Sequence, residues 1–313
     1  MQELIVRPKL LTEFIGKPNI KASLSVYIRS AQQQNKQLDH ILMYGSAGVG
    51  KTTLASIVAN ELNSHIHHVQ GPSIQLVSDV LDLISMLSDG DIIFIDEAHK
   101  INLKCLEMFY SILEDFVIDV KIGKEFNSQY SRLKVPKFTM ICATTNIGQL
   151  PSPFIDRFGI KFFIDLYDEN EIEEIISLLC YKNNLHLDKN EIKQIASYSK
   201  GTPRIAINLV NRYYDYKLIN PQHRSNEIFV AIGVYPKGLT DVDVSYLKIL
   251  NKTSHQAIGI KSISQQLFLD IKTIENVVEP YLLRIGLIVK KTNGRILTNE
   301  GNNYLSMLQL ANS

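Results

Sequence analysis

His40-Ile-Leu-Met-Tyr-Gly-Ser-Ala-Gly-Val-Gly-Lys-Thr-Thr53 is the stretch whose reading decides the fold. Residues 40–44 form a short apolar run with strand character. Gly45, Gly48, Gly50, Lys51 and Thr52 then satisfy the phosphate-loop pattern G-x-x-x-x-G-K-[ST]. Glycines there let backbone N–H groups turn inward around a polyphosphate. Residues 51–62 carry helical spacing, so an anion in the loop also meets a helix N-terminus, where the dipole favours negative charge. Lys51 is placed to reach β- and γ-phosphates, and the Thr52 hydroxyl to ligate Mg²⁺. Strand, loop and helix in this order predict a nucleotide-binding α/β core.

Downstream, Asp91-Ile-Ile-Phe-Ile-Asp-Glu-Ala-His99 reads as a strand buried on both faces, as in a parallel sheet. It ends in two carboxylates, and ligands gather at the C-terminal ends of such strands. Lying about 45 residues beyond the loop, Asp96 is placed to complete the Mg²⁺ shell and Glu97 to polarise an attacking water. Phe138-Thr-Met-Ile-Cys-Ala-Thr-Thr-Asn146 is another buried strand with a polar end, where Thr145 or Asn146 can sense the γ-phosphate or the water. Pro151-Ser-Pro-Phe-Ile-Asp-Arg-Phe158 turns into a short helix bearing Arg157. The guanidinium fork there suits a phosphate, or a salt bridge with Asp156 or another acid.

Between these lie a helix-like stretch at 18–35, a strand at 65–69, and helical patterns at 74–87 and 102–113. His65 and His67 share one strand face, but no carboxylate or cysteine stands at ligand spacing, so ordinary surface or core histidines are expected. Residues 116–138 alternate around a Gly-Lys turn, which predicts an inserted β-hairpin at about 117–136, a plain edge hairpin or a partner contact. From 168 the strand pattern stops, and 168–182, 189–199 and 203–217 read as three helices, with Gly201-Thr-Pro-Arg204 entering the third. After the Pro236-Lys-Gly238 break, helices at 240–251, 262–269 and 271–285 precede two strands, Gly286-Leu-Ile-Val-Lys-Lys291 and Gly294-Arg-Ile-Leu297, and a helix near 299–309. Three helices and a hairpin predict a winged helix whose Lys290, Lys291 and Arg295 can touch phosphates. Glu275 and Glu279 would repel DNA from the second helix, so backbone contact through the wing is favoured over base reading. The expected segmentation is 1–167, 168–238 and 239–313.

The 313 residues suit two or three domains, and 45% apolar content suits a real core. A net charge of +1 excludes a global basic footprint. Three cysteines without a C-x-x-C pair argue against a disulfide framework or zinc module. The first residues, MQELIVRPKL, lack a secretory pattern, and no apolar run of about 18 residues appears, so a cytoplasmic protein with no membrane span is expected.

On these residues the chain resembles the AAA+ ATPases and, more narrowly, the RuvB family of Holliday-junction branch-migration motors. The resemblance runs through Arg7-Pro-Lys9, Phe14-Ile-Gly16, the phosphate loop, Phe94-Ile-Asp-Glu-Ala-His99, Glu114-Asp-Phe116, Ile122-Gly-Lys124, Ala143-Thr-Thr145, Asp156-Arg-Phe-Gly-Ile160, Gly201-Thr-Pro-Arg204 and Glu279-Pro-Tyr-Leu282. It implies an AAA+ parallel-sheet core, a small helical lid and a C-terminal winged helix. It implies that Val6 and Arg7 contact base and ribose, and that Gly48, Lys51, Thr52 and Thr53 hold the phosphates of ATP with Mg²⁺. It further implies nucleotide contacts from Glu114, Asp115, Phe116 and Tyr167, a first sensor at Thr145 and a second at Arg204. Arg157 matches the finger acting on ATP held by a neighbouring subunit of a homo-hexamer. The 117–136 hairpin matches the element that docks on RuvA, the junction-recognition partner. Lys290 and Arg295 match DNA-contacting positions on double-stranded DNA.

Ser46-Ala47 stands where the family carries Pro-Pro, Asn146 and Lys290 where it carries arginine, and Asn293 where it carries a basic residue. A clamp-loader- or initiator-like switch is the alternative, but a winged end and few base-reading residues at 271–285 disfavour it. A helicase with two RecA-like cores, suggested by the letters DEAH at 96–99, needs a second βαβ core that the chain lacks after 168. A nucleotide-gated adaptor is disfavoured by the intact Lys51, Asp96, Glu97 and Arg157.

Overall fold

The computed structural model describes residues 7–122, 129–252 and 256–311. The chain divides into two compact units, residues 1–188 with 201–208 and residues 189–200 with 209–313.

In the first unit, α1 (Pro18–Gln33) leads to β1 (Ile41–Tyr44), the loop, and α2 (Lys51–Leu62). Then come β2 (Ile66–Gln70), α3 (Val77–Ser85), β3 (Ile92–Asp96), α4 (Leu103–Asp115), β4 (Val117–Ile122), β5 (Gln129–Lys134), β6 (Thr139–Thr144), α5 (Ser152–Asp156), β7 (Ile160–Phe163) and α6 (Glu169–Asn183). The pattern at 74–87 yields a helix only from Val77, because the Asp79 carboxylate accepts from the Gln75 and Leu76 N–H groups and fixes its start.

The main sheet has the order β2-β3-β6-β1-β7, and all its pairs are parallel. Its register sets Tyr44 beside Thr144 and Ile95 beside Cys142. The loop after β1, the acids ending β3 and the polar end of β6 therefore share one edge. Phe109, Phe138, Phe154 and Phe158 fill the core on one side, each worth about 1.5–3 kcal/mol of burial. His40 lies among Phe116, Phe138 and Phe158. Its Nδ1 accepts from the Met140 N–H and its Nε2 donates to the Leu113 carbonyl, and burial pushes its pKa down, so the ring is neutral. Strand β7 has no counterpart in the sequence reading. It is a four-residue edge strand with Phe163 exposed, too short to show a pattern.

β4 and β5 form the expected hairpin, with Val117 opposite Lys134 and a bidentate Asp119–Arg132 pair. Gly123 and Lys124 lie outside the described residues.

The second unit holds α7 (Lys189–Tyr198), most of α8 (Pro203–Ile219), α9 (Ser225–Ala231), and a two-stranded ribbon of β8 (Val234–Tyr235) and β9 (Leu239–Thr240). Buried Glu191 accepts from Lys217 and Tyr213 and pins α7 to α8. The seven-residue α9, started by Glu227 accepting from the Arg224 N–H, was not expected. α10 (Asp241–Asn251), α11 (Ile260–Leu267), α12 (Ile271–Thr273), α13 (Glu279–Arg284), β10 (Ile288–Lys291), β11 (Gly294–Leu297) and α14 (Asn299–Ala311) complete a winged helix around Tyr246, Leu247, Ile263, Leu282 and Leu287. The helix expected over 271–285 runs on through α12, a π-helical turn at Ile274–Val278, and α13, with right-handed helical dihedrals at each junction. Pro280 explains the π-turn: it lacks an N–H, and its ring collides with a regular preceding turn, which the wider π-turn relieves. Among the described residues no helix is long and apolar enough to cross a membrane.

Candidate nucleotide site and nucleic-acid interface

The loop 45–50 is enclosed on several sides within the first unit. Gly48 has φ +80°, and a Cβ there would lie 2.8 Å from Arg204 Cβ and 3.0 Å from Thr202 Cγ2. The first turn of α8 thus presses on the loop, and the Arg204 N–H donates to the Gly48 carbonyl. Tyr167 is buried and donates its hydroxyl to the Val49 carbonyl at 3.2 Å. Burial, with the nearby Glu171 charge, pushes that phenol well above its usual range, so it stays a donor. Lys17 sits 4.1 Å over the Tyr167 ring and pairs with Glu171, fastening the leader to the start of α6.

Lys51 is buried and donates Nζ to the Gly45 and Ser46 carbonyls, both at 2.8 Å. Burial lowers its pKa; Asp96 and Glu97 oppose the shift and Arg204 adds to it. Thr52 Oγ1 lies 3.4 Å from Asp96 Oδ2, and Asp96 Oδ1 accepts from the Glu97 N–H. Thr53 is half-buried on the first turn of α2. Glu97 adopts a left-handed backbone, φ 51° and ψ 46°. A Cβ on Gly71 would fall 2.2 Å from the Glu97 carbonyl, so only glycine fits beneath it. Thr145 donates to Glu97 Oε2 at 3.0 Å, and His99 Nδ1 lies 3.2 Å from the same oxygen.

The structure thus brings together Gly45, Gly48, Gly50, Lys51, Thr52, Asp96, Glu97, Thr145, Tyr167 and Arg204. Loop amides, a lysine and an arginine can hold a polyphosphate, and a carboxylate fixed by a hydroxyl can order water. Thr52 and Asp96 offer hard oxygen donors suited to Mg²⁺, which keeps most of its waters. Among the described residues no group of three His, Cys, Asp or Glu side chains is placed to hold a metal ion. Arg7 is exposed, and Val6 lies outside the described residues. His67 Nε2 is hydrogen-bonded to Asp91 Oδ2 at 3.0 Å.

Arg157 and Glu114 form a separate pair on the packed helices α4 and α5, with Nη2 to Oε2 at 2.7 Å. Asp156 pairs with Lys161 instead. The Tyr110 ring lies 6.0 Å from the guanidinium, and Arg157 Nε is buried without a hydrogen-bond partner among the described residues. Asp115 is exposed, and Phe116, in a left-handed conformation, packs edge-on against Phe138.

The wing needs a correction. Arg295 is not a free surface cation: its side chain is 9% exposed and turns inward. Nε donates to Glu279 Oε1 at 2.6 Å, and Nη2 to Glu279 and Glu275. Glu279 also accepts from Tyr246. Burial would raise the Glu279 pKa, but Arg295 and Tyr246 prevail and hold it down. The carboxylate expected to repel phosphates is therefore buried beneath the wing. Lys290 is half-exposed and lies 3.3 Å from Glu279. Lys291 is exposed.

Two residues of the water-facing cluster, His99 and Thr144, were not singled out from sequence. The only signal was a histidine two positions after Glu97, and its meaning depends on the left-handed turn.

Residues 6–164 match the family described as Holliday junction DNA helicase RuvB P-loop domain, 167–233 the RuvB AAA lid domain, and 236–306 the RuvB C-terminal winged helix domain. The chain is 43% identical over 305 residues to the Holliday junction branch migration complex subunit RuvB of Mycoplasma genitalium, covering 97% of this chain and 99% of that one. It is 39% identical over 301 residues to the namesake of Campylobacter hominis, covering 95% and 88%. The solved Thermotoga maritima RuvB Holliday junction branch migration motor superposes with a TM-score of 0.81 at 34% identity, covering 97% of this chain and 99% of that one.

Proposed function

Because the chain belongs to the RuvB family of AAA+ proteins, we propose that it is an ATP-driven motor subunit that moves double-stranded DNA to drive branch migration of Holliday junctions. One observation carries this reading. Lys51, Thr52, Asp96, Glu97 and Thr145 meet at adjacent strand ends, while Arg157 is built on another part of the same unit.

In this reading Val6 and Arg7 flank base and ribose, the loop amides with Lys51 and Thr53 hold the phosphates, and Arg204 and Tyr167 close the site. Mg²⁺ held by Thr52 and Asp96 would neutralise charge on the β- and γ-oxygens. Glu97 takes a proton from the attacking water as Thr145 orients the carboxylate. Arg157, with the Glu114-Asp-Phe116 segment, acts on ATP bound by the next subunit of a homo-hexamer, where its guanidinium stabilises transferring charge. Segments 1–167, 168–238 and 239–313 then serve as engine, lid and DNA-holding part. The 117–136 hairpin docks a RuvA-type junction-recognition protein in the cytoplasm. The wing grips backbone through Lys290 and Lys291, so movement is sequence-independent and salt-sensitive.

The test is ATP-dependent branch migration of a synthetic four-way junction, with and without the partner. Migration that needs hydrolysis is expected; nucleotide-dependent release without migration would favour the loading-switch alternative.

A further inference from the structure

Glu97 is held by more than its sensor threonine. Its left-handed backbone is disfavoured for a residue with a side chain, and local packing over-determines it. Gly71 lies against its carbonyl, the Lys100 N–H donates to that carbonyl, and Ala98 is fully buried. The resulting 3-10 turn, Ala98–Lys100, folds the chain back on itself. It sets the His99 ring beside the carboxylate two residues earlier, with His99 side-chain exposure of only 10%.

A carboxylate oxygen attracts N–H and O–H groups, and two side chains meet Glu97 Oε2. One is the Thr145 hydroxyl at 3.0 Å, and the other is His99 Nδ1 at 3.2 Å. The same nitrogen lies 2.9 Å from the buried Thr144 hydroxyl, which also accepts from the Asn146 N–H. Both contacts fall on one carboxylate oxygen.

We propose that His99 is a positioning residue for ATP hydrolysis, holding Glu97 by Oε2 together with Thr145 and itself fixed by Thr144, so that Oε1 is the oxygen that faces water. This rests on the ATPase reading above. The end of β6 then controls the carboxylate through two threonines, one directly and one through the imidazole. An unheld carboxylate on a partly exposed turn would sample other rotamers, and small misplacements of a reacting group cost up to about a hundredfold in rate.

The experiment uses the full chain and compares His99→Leu, His99→Asn and Thr144→Val by ATP turnover and nucleotide affinity. Leucine fills similar space without a donor; asparagine sets an amide N–H near the Nδ1 position. His99→Leu is expected to lower kcat about tenfold or more with KM and nucleotide affinity unchanged. His99→Asn should restore most of it, and Thr144→Val should fall between. Unchanged turnover in His99→Leu overturns the proposal. So does an equal loss in His99→Leu and His99→Asn, or a loss that tracks melting temperature or nucleotide affinity. If the unaltered chain bound nucleotide without hydrolysing it, the ATPase reading itself would fail, a result distinct from any of these.

Discussion

Arg157 in the sheet unit and Arg295 in the wing each meet a glutamate, and the two pairs are built on opposite plans. Arg295 meets Glu279, a side chain with no exposed surface, through two nitrogens, and Tyr246 and Lys290 complete the shell. Arg157 meets Glu114, a side chain 57% exposed, and its buried Nε has no hydrogen-bond partner among the described residues. A guanidinium that spends Nε and Nη2 on two carboxylates has little left for a ligand. One held by an exposed carboxylate can exchange it for a phosphate. Sequence position says that a cation is present; the state of its partners says whether it is available.

The sharpest way to break this contrast is Arg157→Ala. It should leave nucleotide affinity near that of the unaltered protein yet cut turnover about a thousandfold or more, measured by steady-state phosphate release. Mixing it with Glu97→Gln subunits should reveal activity shared across the interface; full turnover of Arg157→Ala alone would remove Arg157 from the trans role. Next in size, Glu279→Gln or Arg295→Ala should destabilise the winged helix by about 3–5 kcal/mol in urea unfolding, because either leaves a buried partner unpaired. A change below about 1 kcal/mol would return Arg295 to the surface cations.

His40 supports the Arg157 region from below, through the carbonyl of Leu113 in the last turn of α4. Its folded pKa is lowered chiefly by burial, so below about pH 6.5 the unfolded chain binds a proton that the folded one refuses. Stability is therefore full above that pH and falls below it, by up to about 1.4 kcal/mol per pH unit. Unfolding of His40→Gln should lack this slope. Lys290→Ala should weaken DNA binding evenly across sequences and reduce the salt slope by about one, whereas a loss confined to one sequence would indicate base reading. Smallest of all, Glu114→Gln should alter stability by no more than about 1 kcal/mol, as befits an exposed pair.

The parallel core was legible because its evidence is local: apolar runs of strand length, each ended by the residues that do chemistry. The helix over 271–285 was legible from its spacing, but its π-turn was not, because that depends on how one proline changes the hydrogen-bond step of the turn before it. β7 and α9 were missed because four and seven residues carry too little periodicity. Arg295 could not be judged from sequence because its fate depends on the wing folding back onto Glu279. His99 stayed hidden for a related reason, since no spacing rule announces a left-handed glutamate.

Gly71 carries no chemical group at all, yet an added methyl there would strike the carbonyl that sets the pitch of Glu97. Strand β2 ends at Gln70 without acid, base or cation, and still its last neighbour helps to aim the reaction. A silent residue can thus govern the fuel step through shape alone, and Gly71→Ala would be felt in the speed of the engine before it was felt in its grip on the fuel.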